Sequence, residues 1–193
     1  MNRSFRYGLV FLALTLILSA TLTRPLPVAA GSGPDGDAMA PPTRLVIPRI
    51  GLDAPIEPVS LRATSDGFEW DIPWSAVGWH NLSATPGHAG NAVLSGHNFS
   101  QGGKVFQKLW LLKIGDGFTV YVGDQPHAYV VTERVTFREV LVSEHQRNRN
   151  KRWIGSFPDE RVTLVTCHPT WTNAGRLVLV GKPLSASQSS TTR

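Results

Sequence analysis

Residues 161–181 read RVTLVTCHPTWTNAGRLVLVG. Two short β-branched and aliphatic runs, RVTLVT at 161–166 and RLVLVG at 176–181, flank a stretch rich in Thr, Pro, Asn and Gly. Such runs, bounded by turn formers, read as strands. Pro169 cannot continue an inner ladder, so the first strand stops near Cys167. If the two runs pair, the intervening loop returns the chain beside the thiol, and Arg176 opens the second strand there.

The same texture extends outward. RLVIP at 44–48, NAVLSG at 91–96, FTVYV at 118–122 and HAYVVTERVTF at 127–137 are further strand candidates, and Gly115-Asp116-Gly117 is a turn signal. Short strands at close spacing indicate a mainly β sandwich or barrel. One stretch, KVFQKLWLL at 104–112, has the three-to-four apolar spacing of a helix, with Trp110 expected in the core. There is no internal repeat. The folded unit is expected from 43 to 184, enough for one core, with a Ser/Thr-rich disordered tail at 185–193.

With 193 residues, 41% apolar and 17% charged, the chain is neither fibrous nor wholly disordered. It has one cysteine, which excludes an internal disulfide. The net charge of +5 suits anionic partners. Gly8 to Leu22 (GLVFLALTLILSATL) carries no charge, with Arg3 and Arg6 before it and Arg24 after it. Residues 1–24 therefore read as a membrane anchor or a signal segment, with the remainder outside the cytoplasm. Val28-Ala29-Ala30 suits a cleavage site, and an uncleaved, single-pass anchor is the other reading. Residues 25–42 form a flexible linker. Export and the lack of aromatic-interleaved basic motifs count against nucleic acid.

An unpaired thiol in an exported protein is a liability unless it is used. Cys167 reads either as a small buried hydrophobe or as a nucleophile that needs a cation, a proton donor and an oxyanion donor around it. Of the six histidines, His97 stands out because it follows a strand and a glycine, as Cys167 ends its strand. His168 is adjacent in sequence, but neighbouring strand residues point to opposite faces. His80, His88, His127 and His145 are expected in solvent. Arg176 offers a permanently charged fork of donors.

In order along the chain, LVIPRIGLDAPI, PGHAGNAVLSGHN, VFQKLWLLKIGDGFTVYV, VTLVTC and GRLVLVG resemble successive segments of the sortases, cysteine transpeptidases of bacterial surfaces. VTLVTC matches the family's TLxTC signature completely. The resemblance spans roughly 44–183 and implies a single eight-stranded β-barrel with one or two short helices. It also implies a catalytic set of His97, Cys167 and Arg176. The reaction implied cleaves a Thr–Gly type bond in a C-terminal sorting signal. The acyl group then passes from Cys167 to an amine of a cell-wall precursor or a pilin. No cofactor and no metal is expected, since Glu133, Glu139 and Glu144 are scattered, and a monomer is expected.

The basic run at 147–152 reads as a solvated loop, with attraction to anionic wall polymer or a membrane surface as the other reading. Trp153 and Trp171, in the loops expected to flank the site, are substrate-binding candidates for an apolar peptide side chain, together with His168. Ser95 has no nucleophile elbow around it. Two competing functions remain. One is an exported β-barrel that binds cell-wall polymer, with Cys167 structural. The other is a peptidase that releases its acyl group to water.

Overall fold

The structure, a computed structural model, describes residues 40–65, 67–98, 103–172 and 174–184. The apolar run at 8–22, the greater part of the 25–42 linker and the 185–193 tail lie outside the described residues. Among the described residues no helix is long and apolar enough to cross a membrane.

Eight strands close a barrel: β1 (Pro42–Ile47), β2 (Leu52–Val59), β5 (Val77–His80), β6 (Asn91–Ser95), β7 (Gly117–Val122), β8 (Gln125–Arg138), β9 (Arg161–His168) and β10 (Gly175–Pro183). A separate hairpin is made by β3 (Leu61–Thr64) and β4 (Gly67–Trp70). The order around the barrel is β1-β2-β5-β6-β9-β10-β8-β7. β2/β5 and β6/β9 are parallel pairs and the other neighbours are antiparallel. The C-terminal ends of β1, β6, β8 and β9 therefore share one rim with the N-terminal ends of β2, β5, β7 and β10. We term it the upper rim; Pro42 and Pro183 lie at the lower one.

Alternation with period two builds the core. Leu45 and Ile47, Ala92 and Leu94, Phe118 and Val120, Val162 and Leu164, and Leu177 and Leu179 point inward and are buried. β5 went unrecognised in the sequence, and β2, which carries Pro55 and Pro58, was read as a strand only through the family resemblance of LVIPRIGLDAPI. Its pairing with β1 covers 52–55 and with β5 covers 56–59. Each half thus keeps one unpaired flank, where a proline's missing N–H is not needed.

The segment expected as a helix at 104–112 is instead a series of turns ending in a 3₁₀ turn at Leu109–Leu111. Its backbone bonds span three residues: Gln107 N–H to Lys104 O, Leu109 N–H to Phe106 O, and Leu112 N–H to Leu109 O. Phe106, Leu109 and Leu112, spaced by three, match that period and plug the upper end of the barrel at 1% exposure or less. The same period turns Trp110 outward, so it is half exposed rather than core.

The helix that does form, α1 (Glu144–Lys151), lies in the basic run expected as a loop. It has no apolar face, which is why periodicity misses it. Its ends carry the signal: the Ser143 hydroxyl accepts the Gln146 N–H, Glu144 sits in the first turn, and Arg149 and Lys151 sit in the last.

Candidate active site

The wall that carries Cys167 has β9 in its centre, between β6 and β10. In the β9/β10 ladder Cys167 is the direct partner of Arg176. In the β6/β9 ladder Ser95 is level with Val165. Pairing continues past the end of β6: the Gly96 N–H donates to Val165 O at 3.2 Å, and the Thr166 hydroxyl donates to Gly96 O at 2.7 Å. The Asn98 side-chain N–H then donates to the Cys167 carbonyl. His97 is therefore level with Cys167.

The faces agree. Val162 and Leu164 point into the barrel, so Cys167 points out; Leu177 and Leu179 point in, so Arg176 points out. A Cβ on Gly96 would meet Phe106 and Val105 at 2.7–2.9 Å, which makes position 96 inward and His97 outward. The three residues form a row across three adjacent strands, each about 5 Å from the next. None is sealed: His97, Cys167 and Arg176 are all partly exposed, whereas the outward Val93 and Thr163 lower on the wall are fully buried.

Among the described residues no carboxylate is bonded to His97. Its Nε2 lies 3.3 Å from the Ile72 carbonyl oxygen. A carbonyl only accepts, so Nε2 carries the proton there and Nδ1 is left for exchange. The ring stacks on Trp74, with centroids 5.2 Å apart and planes at 23°. Trp74 is set in turn by Gly103, where a Cβ would fall 1.8 Å from the Trp74 carbonyl oxygen. Arg176 donates one Nη1 bond, 2.9 Å, to Gly175 O. The row can supply a thiol nucleophile, a proton carrier and a cationic fork of donors.

The sequence model of the Sortase domain matches residues 45–184. The chain belongs to the sortase family. Among solved structures it is similar to sortase C1 from Streptococcus agalactiae, with TM-score 0.58 and 23% identity over 74% of this chain and 66% of that one. It is also similar to sortase C-1 from Actinomyces oris, with TM-score 0.56 and 25% identity over 74% and 73%. A lid mutant of sortase A from Corynebacterium diphtheriae aligns with TM-score 0.59 and 20% identity over 79% and 74%. The chain thus spans just under two thirds of the Streptococcus agalactiae protein it matches. No curated protein sequence matches significantly.

The remaining candidates of this sortase lie apart. Trp171, 73% exposed, is in the β9–β10 loop at the upper rim. Trp153 is in a 3₁₀ turn at Arg152–Ile154, its ring 4.8 Å from the Arg152 guanidinium carbon. Its carbonyl accepts from Asn91 at 3.1 Å, at the lower end of β6. The backbones of the two tryptophans are thus about 20 Å apart along the wall, six residues of strand. His168 takes the face opposite Cys167. Its Nδ1 is buried without a hydrogen-bond partner, and the residue lines a cavity of about 390 Å³ with Thr136, Phe137, Pro169 and Thr172.

His80 is not in solvent as expected. It is 3% exposed, stacks on Trp70 at 3.8 Å, and its Nε2 is 2.7 Å from the Ser95 hydroxyl. Burial pushes its pKa down to about 4. Ile72, Trp74 and Asn98 were not found from sequence. Only Asn98, adjacent to His97, had a local signal. Among the described residues no group of three or more His, Cys, Asp or Glu could hold a metal ion.

Proposed function

We propose that the protein is a cysteine transpeptidase acting on C-terminal sorting signals, with Cys167, His97 and Arg176 as the reacting set. The observation that carries this is the row itself: Cys167 partnered with Arg176, and His97 level with both on the outer face. The Cys167 thiolate attacks the carbonyl carbon of a Thr–Gly type bond, and Arg176 donates to the oxygen that gains charge. His97 protonates the departing amine as the C–N bond breaks, which leaves a thioester on Cys167. An incoming amine attacks that thioester, gives its proton to His97, and the C–S bond breaks. The amine is supplied by a cell-wall precursor or a pilin lysine. Residues 1–24 would hold the monomer at the membrane with the barrel outside. Cleavage of that segment would release it instead.

The outer wall below the row is covered rather than open, with Val93 and Thr163 fully buried. A second cavity of about 390 Å³, lined by Trp70, Leu82, Asn91, Ile154 and Phe157 among others, opens toward its lower end. Strand geometry sets it about four to six residues from the thiol.

The experiment is to trap the thioacyl enzyme with a panel of sorting-motif peptides and read it by intact mass. A covalent adduct on the wild type and none on Cys167→Ala is expected. Full peptide cleavage by Cys167→Ala would overturn the assignment. Product analysis with and without added amine then separates transfer from release to water. An unreactive Cys167, with polymer binding intact in Cys167→Ala, would favour the wall-binding reading.

A further inference from the structure

We propose that the upper rim docks on an anionic membrane surface through Trp110, Leu111 and Ile114, ringed by Lys108, Lys113 and Arg134. These three apolar side chains are 49%, 39% and 66% exposed on one short segment. Their exposure is not fraying, because Phe106, Leu109 and Leu112 of the same segment are locked in the core. The Arg134 guanidinium donates to Trp110 O at 3.4 Å, and Arg134, Lys113, Trp110, Leu111 and Ile114 line one shallow depression. The acid within this segment, Asp116, is already engaged by Arg49 at 3.1 Å and by the Lys113 N–H at 2.8 Å. The patch thus presents large apolar groups inside a positive ring.

Chemistry selects the occupant. Three side chains fall well short of the roughly 1,200–2,000 Å² that a stable protein interface buries. They do suit shallow insertion at the headgroup boundary, where tryptophan and lysine are favoured and each nearby basic residue adds attraction to anionic lipid. Placement agrees: Trp74, Val140, Leu141 and Trp171 are further exposed hydrophobics on segments leaving the same rim. Docking there would bring the Cys167 row close to the membrane, since the Phe106 N–H donates to His97 O at 2.9 Å. An amine acceptor carried on a lipid or a membrane-held chain would then be within reach. Only this last consequence rests on the proposed reaction.

Cys167 is the chain's one cysteine, so the test uses full-length Cys167→Ala/Ile114→Cys, labelled with an environment-sensitive fluorophore and reconstituted in vesicles containing nitroxide lipid. Cys167→Ala/Leu82→Cys, labelled near the lower rim, is the reference. In phosphatidylcholine–phosphatidylglycerol vesicles at low salt, the probe at 114 is expected to be quenched several-fold more than the probe at 82. The excess should fall in phosphatidylcholine alone and in about 1 M salt, where screening is nearly complete. Lys108→Gln with Lys113→Gln should lower the docked ratio about tenfold or more. Equal quenching at 114 and 82, or quenching at 114 indifferent to phosphatidylglycerol, overturns the proposal. So does an emission shift without lipid that grows with protein concentration, which would identify a second copy as the occupant. No catalysis is measured, so either outcome leaves the thioacyl test untouched.

Discussion

The two ends of one barrel wall are built on opposite principles. At the lower end polar groups are buried and fully engaged. The Asn91 side chain donates to Trp153 O and Gly155 O and accepts from the Thr163 hydroxyl at 2.6 Å. His80 is closed between Trp70 and Ser95. At the upper end His97, Cys167 and Arg176 stand partly in solvent, and His97 is held by one long bond and a stacked ring. Satisfied buried networks rigidify, while the proposed transfer, which admits two substrates in turn, needs open, reorientable groups. The strands run through both ends, so the lower end can hold the upper row in register without touching it. This separation predicts variants that cost activity alone at one end and stability alone at the other.

The largest effect is expected from Arg176→Gln. It removes the charged fork and shortens the side chain while keeping it polar, and losing the proposed oxyanion donor is expected to cost about 10²–10³ in kcat. Because Arg176 is at the rim, the midpoint of urea unfolding should stay close to wild type. A loss of more than about 2 kcal/mol of stability would mean that the row supports the fold as well, and the contrast between the two ends would fail.

Asn91→Ala tests the other half. It strips two donors and an acceptor from a residue that is 3% exposed, leaving the Trp153 and Gly155 carbonyls and the Thr163 hydroxyl to find other partners. A cost of about 2–4 kcal/mol is expected by denaturant titration. Thioacyl formation per folded molecule should change little, provided assays run where the variant is folded.

How much of this was legible beforehand depends on how far apart the partners lie in the chain. β9 and β10 announced themselves as short aliphatic runs, and an eight-residue loop sufficed to suggest that Cys167 meets Arg176. His97 was singled out by local context. Its level with Cys167 depends on parallel pairing between segments about seventy residues apart, and only the family resemblance supplied that expectation. Ile72 and Trp74 reach His97 through a bend with no periodic pattern. His80 was misread because a lone histidine carries no mark of burial; its partners Trp70 and Ser95 come from different elements. The plug at 104–112 was misassigned because spacing of three and of three-to-four look alike over nine residues.

His80 also gives the comparison a pH signature. Its folded pKa of about 4 lies below the ordinary 6.5, so the folded state prefers the neutral ring. The stabilisation is fully present above about pH 6.5, and it fades as pH falls toward 4, because the unfolded chain takes up the proton first. Across that window the wild type should lose about 3 kcal/mol relative to His80→Gln. Parallel pH curves for the two proteins would show that the lower end is not sealed.

The smallest effect is expected at Trp74, which is 65% exposed and so contributes little to the core. Its role is to present a ring face to His97, and such contacts are worth about 0.5–1 kcal/mol at exposed sites. Trp74→Leu should therefore lower kcat/KM about two- to fivefold, while Trp74→Phe, which keeps a face, should retain most of it. The unfolding midpoint should not move for either. If Leu and Phe behave alike, the stack is only a packing contact. The Ile72 carbonyl would then be the sole orienter of His97 identified at this end, and the openness of the upper rim would be greater than its geometry implies.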